Sequence, residues 1–245
     1  MNVLSIDWDY FIDCTQDEIC FLFPDGGNEN IGIQLSNQIW AMHYAKSSYS
    51  NFSRVNRELK DIGINKESLN FVLLTILNNS KSHTCIQLSE SHTTIYDLIL
   101  ETYTRTGEKV DIYNIDHHSD TYNLGSELNC GNWVNYLDTL NCINNYTWIQ
   151  NVNTKETLNQ RDFEHCNVNT TTDLTILDNI PHWDIIFICK SSIWTPPHLD
   201  NEFRIFYDTL KTMGYDFSDS LFNDRYAEIQ EEIENYKSHQ YRFTT

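Results

Sequence analysis

Asp116, His118 and Asp120 occupy alternate positions in the stretch Asn114-Ile115-Asp116-His117-His118-Ser119-Asp120. Two carboxylates and an imidazole are metal-ligand types. If the backbone stays extended as it leaves a strand, residues i, i+2 and i+4 point the same way. The three side chains then converge on one side, and His117 and Ser119 face the other. The preceding run, Lys109-Val110-Asp111-Ile112-Tyr113-Asn114-Ile115, is rich in β-formers and reads as a short strand. A ligand cluster just past the carboxyl end of such a strand is where α/β proteins usually bind ligands.

Two other stretches repeat the arrangement. Asn2 to Asp7 is a compact apolar run ending in Asp7-Trp8-Asp9-Tyr10-Phe11, so a second pair of carboxylates stands at i and i+2 after a predicted strand. Two carboxylates held that close repel unless a cation lies between them. Thr84-Cys85-Ile86-Gln87-Leu88 reads as a third strand, and His92 follows it just ahead of an amphipathic helix over about Thr93 to Thr104.

The elements that must position these groups alternate between strands and helices. Helical spacing is expected from about Ile33 to Asp61 and from Glu67 to Leu77. Glu127 to Trp133 reads as a loop entering a helix, Asn145 to Gln150 as a strand, and Asn151 to Thr172 as irregular. His182-Trp183-Asp184 leads into Ile185 to Cys189, an apolar, buried strand. Pro197 can open a helix running to about Met213, and a charged helix is expected from Asp219 to Lys237. Between the first carboxylate pair and the first long helix lies the turn-rich segment Phe23-Pro24-Asp25-Gly26-Gly27-Asn28-Glu29-Asn30, a surface loop or a pocket wall. The pattern predicts an α/β chain: a mainly parallel sheet covered on both faces, a three-layer αβα fold in one domain over residues 1–245.

Bulk properties narrow the partners. A formal net charge of −19 argues against nucleic acid and anionic membrane, and favours cationic ligands and metal ions. The cysteine count, seven, is odd, and no C-x-x-C pair occurs, so neither a disulfide framework nor a zinc ribbon is expected. The first residues show no signal-peptide pattern and no stretch approaches transmembrane length, so a reducing cytoplasm is the expected setting. The oligomeric state is not legible.

Asp7, Asp9, His92, Asp116, His118 and Asp120 together supply four carboxylates and two imidazoles, with no thiolate. An oxygen-rich set with two histidines suits Mn²⁺ better than a structural zinc, and six ligands suit two ions rather than one. Two divalent cations would balance the four carboxylates.

These motifs resemble the arginase (ureohydrolase) superfamily of binuclear manganese hydrolases. Their order, with Asp-x-Asp first, resembles a divergent branch that includes the peptide arginases, which convert arginine side chains of a ribosomally made precursor peptide to ornithine. Ser5-Ile6-Asp7-Trp8-Asp9-Tyr10-Phe11, the Asp116 motif, Cys130-Gly131-Asn132-Trp133 and Trp194-Thr195-Pro196-Pro197 carry the likeness over most of the chain. The resemblance implies an arginase/deacetylase-like fold. It implies one ion held by His92, Asp116, Asp120 and Asp7, and a second held by His118, Asp116, Asp7 and Asp9. Asp120 would also orient the attacking hydroxide, and Asn132 would contact substrate. It departs at Val134, where arginases carry a proton-shuttling histidine; His117 or another pocket residue would then protonate the leaving amine. Glu90 is the carboxylate assigned to the guanidinium, with Asp13, Glu29 and Glu127 as alternatives. The expected reaction is hydrolysis of a peptidyl arginine to ornithine and urea. A metal-dependent deacetylase, a hydrolase of free arginine or agmatine, and a non-catalytic acidic module holding a basic peptide are the alternatives.

Overall fold

The computed structural model describes residues 1–24, 32–48, 55–122, 127–158, 162–212, 214–215 and 224–240. They group into two compact units, Met1–Phe11 with Lys66–Lys190, and Ile12–Asn65 with Ser191–Thr245. The sequence offers no linker to mark the division.

The first unit is built on strands β1 (Asn2–Asp7), β4 (Ser80–Ser89), β5 (Val110–Asp116), β6 (Ile143–Gln150), β7 (Asn167–Thr171) and β8 (Trp183–Cys189). They form one six-stranded sheet in the order β4-β8-β1-β5-β6-β7, and every pairing is parallel. Helices α3 (Lys66–Asn79), α4 (Thr94–Thr106) and α5 (Trp133–Thr139) accompany it. Central parallel strands are buried on both faces and so read as apolar runs. On one face Val3, Ile112, Tyr146, Trp148, Ile185 and Phe187 pack with Ile95 and Ile99 of α4 and with Trp133, Val134 and Leu137 of α5. On the other, Leu4, Ile6, Ile186 and Ile188 are fully buried as well. The architecture is the expected α/β class, a parallel sheet flanked by helices in three layers.

The chain leaves the central strand β1 in both directions, toward β8 and β4 on one side and β5, β6 and β7 on the other. Such a reversal opens a crevice at the carboxyl ends of the strands. Register puts Ser89 and Asp7 on either side of Cys189, pairs Ile6 with Ile115, and pairs Asp116 with Gln150. Asp7 and Asp116, each one residue further on, therefore stand side by side at this rim.

The second unit holds β2 (Ile12–Asp13) and β3 (Gly63–Ile64), paired antiparallel, with α1 (Gln16–Leu22), α2 (Ile33–Ser47), α6 (Asp200–Thr212) and α7 (Arg225–Gln240). Trp40, Ala41 and Tyr44 of α2 pack with Ile229 and Ile233 of α7 and with Leu22, Phe23, Leu59 and Leu199. Arg225 is fully buried and donates to Asp200 Oδ2 at 2.7 Å and to the carbonyls of Ser192 and Thr195 at 2.5 and 3.1 Å.

Three sequence expectations are corrected. The helix expected to reach Asp61 ends at Ser47, and residues 55–64 form a 3-10 turn at Leu59–Asp61 and β3 instead. The stretch 151–172, expected as irregular, contains β7, whose mostly polar residues suit a sheet edge with a single neighbour. Pro197 opens a 3-10 turn, Pro197–Leu199, and α6 begins only at Asp200. The turn-rich loop beyond Pro24, with Glu29, the expected helix end at Met213 and the expected helix start at Asp219 lie outside the described residues. Among the described residues no helix is long and apolar enough to cross a membrane.

Candidate metal centre

All six expected ligands meet at the carboxyl rim of the parallel sheet, in the first unit. Asp7 closes β1 and Asp116 closes β5. Both face the α4/α5 side, because alternation carries Val3 to Asp7 and Ile112 to Asp116. His92 lies between β4 and α4, fully buried, its ring stacked on Phe187 at 5.7 Å between centroids. Its Nε2 bonds Ser5 Oγ at 2.8 Å. That bond turns Nδ1 toward the carboxylates, 3.2 Å from Asp7 Oδ2, 3.2 Å from Asp116 Oδ2 and 3.1 Å from Asp120 Oδ2.

A second cluster adjoins the first. His118 Nδ1 lies 3.3 Å from Asp9 Oδ2 and 3.9 Å from Asp116 Oδ1. Asp116 thus offers one oxygen to each group. Its geometry is held by His118 N, which donates to Oδ1 at 2.8 Å, and by Asn114 Nδ2, which donates to Oδ2 at 3.3 Å.

The route to this arrangement differs from the expected one. Extension stops at Asp116: His117 and His118 lie in a bend, and Asp120 has a left-handed backbone, φ 54°. Asp120 is brought back to His92 by that turn rather than by strand alternation. Asp9 likewise arrives on a 3-10 turn, Trp8–Phe11, not on an extended strand.

Without a cation, the electrostatics are unfavourable in a characteristic way. Burial pushes the Asp120 carboxyl well above the carboxylate range; Asp116 and Asp7 add to the rise and His92 opposes it. Burial works against a charged His92, yet Asp120, Asp116 and Asp7 outweigh it and raise the ring well above its usual value. Burial also opposes charge on His118, and Asp9 and Asp116 overcome it, lifting the ring to about 10. The carboxylates thus favour a positive charge beside them, which a metal ion can supply.

The donor set fits such an ion. Ligands about 2.1 Å from a metal stand roughly 3.0–3.4 Å apart, and the shortest spacings here are 3.1 to 3.3 Å. Asp9 Oδ1 is buried with no hydrogen-bond partner among the described residues. The ligand atoms of Asp7, His92 and Asp116 lie within 4.8 Å of one another, as do those of Asp9, Asp116 and His118.

The other expected site residues are placed differently. Glu90 pairs at 3.6 Å with Lys190, a buried lysine. Asn132 is fully buried; its Oδ1 accepts from Asn129 N at 2.8 Å and its Nδ2 donates to the Glu127 carbonyl at 3.0 Å. Asp13 faces Arg57 at 3.8 Å, in the second unit, and Glu127 is exposed. His117 sits edge-on to His118 at 5.3 Å, and burial, with His118 beside it, lowers its pKa. Its setting favours the neutral ring. Val134 is fully buried in the core and cannot act as a shuttle.

Sequence reading missed the groups around the ligands. Trp133 Nε1 donates to Asp120 Oδ2 at 2.6 Å. The Tyr146 hydroxyl donates to the Ser119 carbonyl at 2.8 Å and accepts from Asn114 Nδ2 at 3.1 Å. Glu156 accepts from Ser119 N at 2.9 Å and from the Tyr122 hydroxyl. Ser5 and Asn114 alone carried a signal, each a polar residue inside a strand, two before Asp7 and Asp116 and on the same face. Comparison of the chain with protein-family models, with curated proteins and with solved structures finds no match.

Proposed function

We propose that this chain is a binuclear manganese hydrolase that converts peptidyl-arginine side chains to ornithine with release of urea, in the maturation of a ribosomally made peptide. The observation that carries the reading is the pair of carboxylate–imidazole clusters sharing Asp116. Oxygen-rich sets with histidine favour Mn²⁺ over thiolate-preferring metals. His92, Asp7, Asp116 and Asp120 would hold one ion, and Asp9, His118 and Asp116 the other. Bound there, the ions would lower the pKa of a shared water and polarise the guanidinium. The residues around them orient the ligands: Ser5 fixes the His92 ring and Asn114 the Asp116 carboxylate. The buried floor of Phe187, Trp133 and Tyr146 keeps bulk water from the inner cluster. The substrate's peptide character, the reaction and the metal's identity rest on the motif resemblance; the acidic balance of the chain, −19, favours a cationic substrate. A single-zinc deacetylase needs only two aspartates and a histidine, so the second cluster counts against it.

The test is mass spectrometry of an arginine-containing peptide incubated with the protein and Mn²⁺, beside a chelator control and Asp116→Ala. A metal-dependent mass loss from arginine to ornithine, with urea released and nothing from Asp116→Ala, is expected. No change on the peptide, on free arginine or on agmatine, with metal bound, would overturn the reading.

A further inference from the structure

Asp120 is an inner ligand that no strand or helix end positions. Its backbone lies in the left-handed region, φ 54°, which side-chain-bearing residues enter at a cost and keep only when neighbours hold them there. The neighbour is the segment Cys130–Asn135. Tyr122 N donates to the Gly131 carbonyl at 2.8 Å, and Val134 N to the Asp120 carbonyl at 3.3 Å. Asn135 Nδ2 donates to the carbonyls of Thr121 and Tyr122 at 2.7 and 2.9 Å. A Cβ at Gly131 would stand 2.7 Å from Cδ2 of the Tyr122 ring, so the ring could lie there only against a glycine. Trp133 completes the set. Its indole N–H donates at 2.6 Å to the same Asp120 oxygen that lies 3.1 Å from His92 Nδ1, and its ring stands 5.3 Å from the His92 ring.

We propose that Cys130–Asn135 is a brace for Asp120, and that Trp133 is the positioning residue that aims the Asp120 carboxylate into the inner cluster. The inference rests on the metal-centre reading above. It gives this segment a task on the metal side, whereas the motif resemblance assigns it contact with substrate. A hydrogen bond to an ionised carboxylate is short and strong, so the indole both fixes the rotamer and favours the charged, ligating form. Groups that orient a ligand in this way commonly change metal affinity 10- to 100-fold when removed.

The experiment is a calorimetric titration of the full chain with Mn²⁺, repeated with Co²⁺ to read the cobalt absorption bands. It compares wild type, Trp133→Phe, Asp120→Asn and the double variant, with Asp9→Asn as a background that lacks the second cluster. Trp133→Phe removes the N–H and keeps an aromatic ring. About a 10- to 100-fold loss of affinity at the inner cluster is expected, in wild type and in Asp9→Asn alike, with altered cobalt bands. The double variant should bind no more weakly than Asp120→Asn alone, since the indole acts only through Asp120. Asn135→Ala, which cuts the brace away from the tryptophan, should weaken the same site several-fold and serves where Trp133→Phe does not fold. Unchanged binding in Trp133→Phe, or an equal loss in the Asp120→Asn background, would overturn the inference and leave the metal reading standing. Failure of wild type to take up either metal would overturn both.

Discussion

A site that holds carboxylates together for a cation should be a burden when the cation is removed, and Asp120→Asn measures that burden. Asp7 Oδ2, Asp116 Oδ2 and Asp120 Oδ2 all lie 3.1 to 3.2 Å from one nitrogen, so no two of these oxygens can be far apart. At roughly 5 Å and an effective dielectric near 20, each carboxylate pair repels by about 3 kcal/mol. The attraction of Asp120 to a protonated His92 is about 5 kcal/mol on the same scale. Above the raised pKa of its carboxyl, replacing Asp120 by the isosteric amide removes two repulsions and one attraction, a net relief of about 1 kcal/mol, and relief from burying the charge adds about as much. The amide oxygen can still accept the Trp133 N–H. In chelator, therefore, Asp120→Asn should be more stable than wild type by about 1–2 kcal/mol, or roughly 3–6 °C in Tm. With Mn²⁺ at about 100 times its Kd, wild type should gain about 2.7 kcal/mol and Asp120→Asn far less, so the order reverses. Thermal melts followed by tryptophan fluorescence suit the test, because Trp8, Trp133, Trp148 and Trp183 all belong to the unit that holds the site. An Asp120→Asn variant that melts at or below wild type in chelator, or Mn²⁺ shifts of equal size in both proteins, would refute the reasoning.

Two further outcomes are expected. Ser5→Ala removes the partner of His92 Nε2 in a fully buried position; it should weaken Mn²⁺ binding about 10-fold and cost about 1 kcal/mol of stability, read by titration and by urea melts in chelator. In the second unit, Glu18 accepts from Arg57 Nε at 2.8 Å, Arg57 Nη2 at 2.7 Å and Thr15 N at 2.8 Å, and the Arg57 bond chiefly holds its carboxyl down at about 2. A lowered folded pKa stabilises above the unfolded value near 4.5 and is lost as pH falls through that window toward 2. With the Arg57 side chain 32% exposed, the contribution shrinks to about 1–2 kcal/mol. The pH dependence of urea midpoints between pH 5 and 2 should be shallower by that amount in Glu18→Gln; an unchanged slope would show that the pair contributes nothing.

The sheet was legible where burial on both faces forces apolar runs, as in Leu4-Ser5-Ile6 and Ile185-Ile186-Phe187-Ile188. It was not legible at β7, where Asn167-Val168-Asn169-Thr170-Thr171 gains its strand character from pairing with β6 and leaves little in local pattern. The amino end of β4, Ser80-Lys81-Ser82-His83, is hidden for a related reason: it is mostly exposed and its register with β8 slips before Cys85. At the site, residue type and spacing were enough to name all six side chains that the structure gathers at the sheet rim. Their delivery was not, because a 3-10 turn at Asp9 and a left-handed residue at Asp120 break the alternation that the spacing implied. The groups that orient the ligands come from far along the chain, Ser5 to His92 across 87 residues, and such pairings leave no mark in a local stretch of sequence.

The departure at Val134 has a structural meaning beyond one missing histidine. The first turns of α5 are fully committed. Trp133 holds Asp120, Val134 and Leu137 pack against the sheet, and Asn135 holds the carbonyls of Thr121 and Tyr122. Asp138 accepts from the backbone amides of Glu164, His165 and Cys166. A histidine at 134 would face packed apolar side chains, lack hydrogen-bond partners and overfill the core, so this helix cannot supply an acid to the reaction by a single substitution. On the proposed chemistry the proton for the leaving amine must come from another element. The loop after β6 offers one such group, since it places the Glu156 carboxylate 2.9 Å from the amide of Ser119, between His118 and Asp120. The helix that resembles a substrate-binding motif in sequence is, in this fold, spent on holding the metal side of the site. On that proposal, proton delivery would fall to the rim formed by the loops after β5 and β6.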